Sequence, residues 1–554
     1  MLLSLSISGL ALYVLLRAIK MVYAKLTSPL RFMPGPQPRD WLTGSYAEVR
    51  GEIKGATAIG MEEGWIEQNG RTMKLYGFFG TANVYTIDTK AVHHVLFNSH
   101  IYQKTIPARY FLERMTGRPG LTSAEGDVHK NQRKIMNPAF GYPQVRELTH
   151  IFVRKSIQLR NIWAAEAAEN KGIACVDIHA WFHKVTLDII GLAGFNRDIN
   201  AVGTKPGDTP DEILATFEKL LAVELGPLDF LQGSYPILRN ISTRNERMRA
   251  ASRADMARIG LKIVADSKRE IAESGMFETG RARPPSVYWS AATRPRKFPS
   301  TSVCLMRMFK LVRSLARFGI ICSQKPDLTE IITFLVAGHV TTSTAVTWTL
   351  FALTQNVAAQ TKLRAELLSL ATENPTMDQL QDLPYLDCVV REGLRVHGPV
   401  PHNVREAFCD DVLPLKTPWT DAHGKVHDSV QIKKGTEVFI PMQMMNLDPT
   451  IWGQDAREFI PERWEKGIEN DIPGVWGQII SFIGGPRGCV GYRFSLIEIK
   501  SLLFTLIRGF EFELAVPVAD IGKKIVRVTQ GPTLLSRPDE GLQLPMLVKP
   551  VVQA

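Results

Sequence analysis

Residues 481–494, Ser-Phe-Ile-Gly-Gly-Pro-Arg-Gly-Cys-Val-Gly-Tyr-Arg-Phe, set one cysteine among glycines immediately before an amphipathic helix predicted over 490–508. The other cysteines, Cys175, Cys304, Cys322, Cys388 and Cys409, are scattered and form no Cys-x-x-Cys pair. Neither a disulfide framework nor a zinc cluster therefore claims Cys489, and the chain reads as one kept in a reducing compartment. A thiol just ahead of a helix feels unpaired backbone N–H groups and the positive end of the helix dipole, which favour thiolate. Gly485, Gly488 and Gly491 let the backbone approach a flat partner, and Arg487 can reach an anionic edge of it.

At 554 residues and 45 % hydrophobic composition the chain can bury a large core. It begins with sixteen uncharged residues, about 24 Å as helix, and reaches membrane-spanning length by Ala24 if Arg17 and Lys20 snorkel. Positive charge follows the apolar run and no small-residue cleavage site is seen, so 1–24 is expected to be a retained signal-anchor rather than a cleaved secretory peptide. Residues 25–40, basic and proline-rich, read as a hinge. Beyond it, a strand pair is predicted around 84–90. Helices are expected over 124–137, 144–168, 178–193, 243–274, 328–356, 358–372 and 381–396. Residues 402–445 look strand-like, with a hairpin over 430–441. The fold class is mainly α with a minor β-sheet region, as one large domain over 41–554.

The cysteine, its glycines and its arginine describe a thiolate ligand to haem iron, with a buried structural cysteine in a glycine-rich turn as the plainer alternative. The pattern Phe482-x-x-Gly485-x-Arg487-x-Cys489-x-Gly491 resembles the haem-binding signature of the cytochrome P450 family, the haem-thiolate monooxygenases. Other segments resemble that family in order. Glu392-Gly393-Leu394-Arg395 places a carboxylate and a guanidinium on one helix face, and "FIPERW" (459–464) adds Arg463. The resemblance makes Glu392, Arg395 and Arg463 a structural cluster. It makes His129 and Arg133 of "GDVHKNQRKIMNPAF", Arg405 of "VPHNVREA" and Arg487 the partners of the haem propionates.

"FLVAGHVTTSTAV" (334–346) lies in a long apolar helix yet holds adjacent Gly, His and Thr. In the family this stretch covers the iron, which gives Thr341 the role of steadying dioxygen and relaying protons, with Thr342 as helper. The position before that threonine usually carries an acid and here is Val340; His339 does not replace it, being about 100° further round the helix. The resemblance spans Pro34 to Pro550 except 275–327, and is strongest to fungal microsomal members. It implies haem b, electrons from NADPH through a cytochrome P450 reductase docked near Lys130, Arg133, Lys134 and Arg493, and an endoplasmic-reticulum membrane anchor with a cytoplasmic catalytic domain. The substrate would be lipophilic: the segments near 100–125, 225–240 and after 400 are apolar and aromatic, which suits a terpenoid, a polyketide or a polycyclic aromatic of secondary metabolism or xenobiotic oxidation. A reductase-independent haem-thiolate isomerase or dehydratase, or a degenerate non-catalytic haem protein, stays open as an alternative.

The net charge of +11 suggests an anionic partner, but its distribution argues against nucleic acid. Between Gly275 and Pro326 ten basic residues stand against one acid, Glu278, so this stretch supplies +9 of the total. Read out of frame, 286–298 and 303–309 permit an acidic helix start, Met-Ser-Asp-x-Asp-Val. Residues 275–327 are therefore expected to reflect a frame-shifted or intron-containing gene rather than a genuine basic insertion.

Overall fold

The computed structural model describes residues 15–49 (without 17, 18, 20, 21, 24 and 39) and 58–551 (without 118, 205–207, 210, 223–226 and 274–328). The atypical segment 275–327 and the first fourteen residues of the expected anchor lie outside this description. The described residues between Leu15 and Thr27 are helical, and Leu15, Leu16, Ile19, Val22, Tyr23 and Leu26 are exposed.

The principal helices are α1 (Ile106–Thr116), α2 (Gly126–Met136), α3 (Tyr142–Glu169), α4 (Ile178–Phe195), α5 (Pro227–Ser234), α6 (Arg244–Glu273), α7 (Thr329–Gln355), α8 (Pro384–Val396) and α9 (Tyr492–Gly509). Their ends follow local chemistry. Pro384 at the first turn starts α8 three residues later than the periodicity alone indicates, because a fixed φ and a missing N–H suit that position. Gly491 caps α9, which begins at Tyr492 rather than 490.

α7 is the central rod, packed along α4 and against α8 and α9, while α9 lies along α3. It is the one helix among the described residues long and apolar enough to cross a membrane, and 72 % of its most apolar window is buried inside the protein, as befits a core helix. At Gly393 a Cβ would sit 2.4 Å from Thr349 Oγ1, so the missing side chain allows α8 to touch α7. Trp163 of α3 is fully buried among Trp181, Phe182, Phe510 and Phe512.

Strands β1 (Thr72–Tyr76), β2 (Ala82–Thr86), β3 (Tyr102–Gln103), β5 (Asn403–Ala407) and β8 (Glu437–Ile440) form one sheet in the order β1-β2-β8-β5-β3. Only β2 and β8 run parallel, with Val84 opposite Val438. A second sheet joins β4 (Ala174–Asp177), β12 (Pro545–Pro550) and β9 (Phe510–Leu514). Two hairpins complete the set: β6 (Asp411–Thr420) with β7 (Val426–Ile432), and β10 (Ile521–Val526) with β11 (Thr529–Leu534).

Three expectations change. The hairpin predicted over 430–441 does not form: β7 pairs back to β6 and β8 enters the large sheet, because alternation marks strands without naming their partners. The strand pair predicted around 84–90 forms as β1 with β2 but stops at Thr86, since Asp88 accepts the Ala91 N–H at 3.0 Å and caps a helix over Thr89–Phe97. The proline-rich stretch read as a hinge docks on β1, where Lys74 N–H donates to Pro34 O at 2.8 Å and Leu30 and Met33 are buried.

Candidate active site

The cysteine loop is held by backbone contacts that only glycine permits. A Cβ on Gly484 would lie 1.6 Å from Pro473 O, and one on Gly485, at φ +67°, would lie 2.5 Å from Leu96 O. Gly485–Arg487 makes one 3-10 turn, and Cys489 N–H donates to Phe482 O at 2.9 Å. The half-buried Phe482 ring packs near Trp476 and Tyr492. At Gly491 nothing in the protein crowds a Cβ closer than the Phe140 ring at 3.7 Å.

Cys489 keeps accessible surface although protein surrounds it deeply on every side. That combination describes a side chain opening onto an internal void. Contrary to the expectation of a thiolate set by the helix start, burial pushes the thiol up; the Gly491 N–H and the Arg133 guanidinium only partly oppose this.

The predicted arginines come together around the same loop. Arg133 of α2 donates to Asn137 Oδ1 at 2.7 Å and to Gly488 O at 2.5 Å. Arg487 donates to Ala124 O at 2.7 Å and pairs with Glu125. Arg405 is buried in β5, bonded only to Asn403 and Val404 O, and burial pulls it down to about 10. His129 is buried beside them and pushed down to about 4 by burial, then by Lys104 and Arg133, so it is a neutral member.

Two further cations were not foreseen. Lys104 is driven well below its ordinary range by burial and by Arg405, Arg487 and Arg109. A lysine in a turn reads as a surface residue until the fold encloses it. Four permanently charged arginines (Arg109, Arg133, Arg405, Arg487), with Lys104 among them, thus face two carboxylates, Glu125 and Glu406, the latter feeling Arg109.

Across from the loop, α7 is buried from Thr329 to Leu335 and again from Thr342 to Leu350, but between them Ala337 is exposed and Val336, Gly338, Val340 and Thr341 are partly so. A core helix open only in its middle borders a void there. Thr341 Oγ1 donates to Ala337 O at 2.8 Å on this open stretch. Thr342, expected to assist it, faces elsewhere: it is buried, with its hydroxyl 3.0 Å from Ser495 Oγ of α9. His339 packs against His183 of α4, as the 100° offset requires. Behind Thr342 lies Glu498 of α9, which sequence reasoning missed. It is fully buried, and burial drives its carboxyl well above the ordinary range while the Thr342 hydroxyl works the other way.

Glu392, Arg395 and Arg463 lie together. Glu392 and Arg395 are fully buried and joined by two hydrogen bonds of 2.7 and 2.8 Å; Arg463 Nε and Trp464 Nε1 reach Glu392 at 3.3 and 2.9 Å. Lys130, Lys134 and Arg493 are exposed.

A deep thiol opening onto a void, an excess of cations beside it and a threonine-bearing break in the facing helix define a site for a flat, anionic, iron-bearing group, the site of a haem-thiolate protein. The chain matches the cytochrome P450 family model over residues 65–535. It is 44 % identical over 536 residues to cytochrome P450 monooxygenase 128 of Postia placenta, covering 94 % of this chain and 93 % of the relative. To monooxygenase 205 of the same fungus it is 42 % identical over 553 residues, covering 99 % and 98 %. Cytochrome P450 monooxygenase claO of Ampulloclitocybe clavipes is 31 % identical over 540 residues, covering 95 % and 94 %. The chain belongs to the cytochrome P450 family and is a fungal-type monooxygenase.

Proposed function

We propose that the protein inserts one oxygen atom of dioxygen into a lipophilic small molecule of secondary metabolism or xenobiotic origin, using haem b held by Cys489 and electrons from NADPH delivered by a reductase. The observation that carries this reading is the charge imbalance: four arginines against two carboxylates beside an accessible thiol call for the two carboxylates that haem carries. When bound, haem supplies the redox-active iron at which dioxygen is activated, with the thiolate as electron donor.

Arg133, Arg405, Arg487 and Arg109, with Lys104 beside them, would hold its acidic edge, and neutral His129 would serve as a hydrogen-bonding partner. Phe482, Gly485 and Gly491 shape the loop around the thiol. Cys489 would give up its thiol proton on coordinating iron, against the effect of burial. Thr341 presents a hydroxyl at the void and holds a proton there. With Val340 in place of an acid, Glu498, kept protonated by burial, is the proton-bearing group behind this part of α7, next to Thr342.

The exposed apolar face between Leu15 and Leu26 supports an N-terminal membrane anchor in the endoplasmic reticulum with the catalytic domain cytoplasmic. The exposed Lys130, Lys134 and Arg493 suit an acidic reductase face. The test is spectroscopic: thiolate ligation shifts the ferrous carbon-monoxide Soret band to long wavelength, and Cys489→His abolishes that shift. Wild-type protein without the band would overturn the assignment. Dioxygen-dependent NADPH consumption in membranes containing a reductase tests the electron source.

A further inference from the structure

A second buried cation lies apart from the cluster around Cys489. Lys523 sits within β10, opposite Pro532 of β11. Its Nζ is 3.3 Å from His397 Nδ1 and 5.2 Å from the centre of the Trp348 ring. Those two rings stack at 5.4 Å and 19°. Among the described residues no carboxylate pairs with this amine; the neutral imidazole nitrogen and the indole face are its partners.

The surroundings are rigid. Trp348 is buried in α7 and its Nε1–H donates to Gln530 O at 2.7 Å, while Gln530 N–H donates to Pro399 O at 2.8 Å. Hairpin, central helix and the end of α8 therefore fix the amine from three sides. An unpaired ammonium in such a place costs several kcal/mol of desolvation, of which a cation–π contact returns only about 0.5–2. Burial pulls the amine down to about 8, so it stays mostly charged at neutral pH, and pushes His397 well below the usual imidazole range. Leucine or methionine would fill this volume without that cost, so packing alone does not account for a lysine here.

Both side chains also share the property of Cys489: they keep accessible surface although protein encloses them deeply. Their remaining accessible surface lies among enclosing protein. Trp348 is seven residues beyond Thr341 on α7, about 10 Å along the helix axis.

We propose that Lys523, with His397 beside it, is an anion-holding subsite of the substrate void that takes a carboxylate at one end of an extended lipophilic substrate whose other end reaches the level of Thr341. This rests on the monooxygenase reading above and narrows its substrate to lipophilic acids. His397 accepts from the amine through Nδ1 and so keeps the ammonium aimed at one place, and a ligand carboxylate supplies the missing countercharge where water does not screen it.

The test titrates the haem-loaded protein with dodecanoic acid and with its methyl ester, following the haem absorbance shift, in wild type, Lys523→Met and Lys523→Arg. Wild type is expected to bind the acid at least about tenfold more tightly than the ester, the preference falling to about one in Lys523→Met and surviving in Lys523→Arg. Equal binding of acid and ester by wild type, no shift with either ligand, or a preference that persists in Lys523→Met overturns the subsite. The ferrous carbon-monoxide band separates the two readings: a normal red-shifted band without acid preference removes the subsite alone, whereas a missing band removes the monooxygenase assignment beneath it.

Discussion

Two buried clusters of charge in the same domain, linked through Ser481, whose hydroxyl donates to Leu394 O at 2.7 Å, are built on opposite principles. Around Glu392 every charge is answered. The carboxylate accepts from Arg395, Arg463, Trp464 and the Ile460 N–H, Arg463 turns its other end to Asp455 at 2.9 Å, and Arg395 spends its remaining donors on Asn446 O and Glu458 O. Around Cys489 four arginines share two carboxylates, and burial acts against Arg405 and Arg487 as it does against Lys104 beside them. A balanced cluster satisfies itself and serves the fold, whereas an unbalanced one is complete only with a ligand. Charge arithmetic thus separates bracing arginines from binding arginines, which residue type alone cannot do.

The largest expected effect falls on the balanced side. Glu392→Gln leaves Arg395 and Arg463 facing each other in the core without their shared anion, and should cost about 3–5 kcal/mol of stability. Thermal or denaturant unfolding reads this directly. A loss below about 1 kcal/mol would mean that the brace is not load-sharing and that the comparison is misdrawn.

A third cluster carries no charge at all and extends the contrast to pH. His179 and His183 of α4 meet edge to face at 4.5 Å, and His183 meets His339 of α7 in the same way at 5.2 Å. Burial pushes His183 down to about 4 and His339 to about 3. A base whose folded pKa lies below its unfolded value gains its proton on unfolding. Stability is therefore intact above about pH 6.5 and declines as pH falls towards 4, by about 3 kcal/mol for His183 alone. His183→Phe, which keeps a ring in the contact, should flatten that part of the stability profile between pH 6.5 and 4. An unchanged slope would show that carboxylates elsewhere set the acid limb.

On the unbalanced side the sign should differ. Arg405→Met removes a buried cation that has no acid partner, so the protein without haem should lose no stability. Haem transfer from the loaded variant to an acceptor protein should be about tenfold faster, equivalent to about 1.4 kcal/mol of binding. If instead the haem-free protein is destabilised and haem loss is unaltered, Arg405 belongs with the braces.

What the chain made legible follows the same division. Glu392, Arg395 and Arg463 were readable because an i, i+3 pair is local and a second arginine segment completes it. The cysteine loop was readable because its glycines meet backbone, as the Gly484 and Gly485 approaches show. The helices that were predicted came through within a few residues, the ends shifting with Pro384 and Gly491, whereas α1 and α5 were not foreseen. Lys104, Arg109, Glu498 and Lys523 were not legible, because depth is a tertiary property and a lysine or glutamate is by default a surface residue. The facing of Thr342 towards Ser495 was also hidden, since neighbours in a helix look alike until the axis is placed. For the hairpin expected over 430–441, the strands were visible but their partners lay hundreds of residues away or on the preceding strand.

The smallest expected effect lies where a charge is absent. Val340 O accepts from Ser343 and Thr344 at 3.0 and 2.8 Å, and its side chain is partly open beside Thr341. A carboxylate at this position, Val340→Glu, would stand next to the Thr341 hydroxyl on the open stretch of α7, where proton delivery is otherwise left to Thr341 and to Glu498 behind the helix. If delivery limits turnover, product formed per NADPH consumed should rise about twofold, a modest fraction of what a positioned acid contributes when none is present, because Glu498 already supplies one. The variant adds its charge on the void side and leaves the Glu498–Thr342 contact intact, so the effect of Glu498→Gln discriminates further: coupling should fall in the wild-type background and fall less in Val340→Glu. Coupling that is unchanged or lower in Val340→Glu would place the limiting step away from proton delivery, and equal losses in both backgrounds would show that the two acids do not serve the same proton.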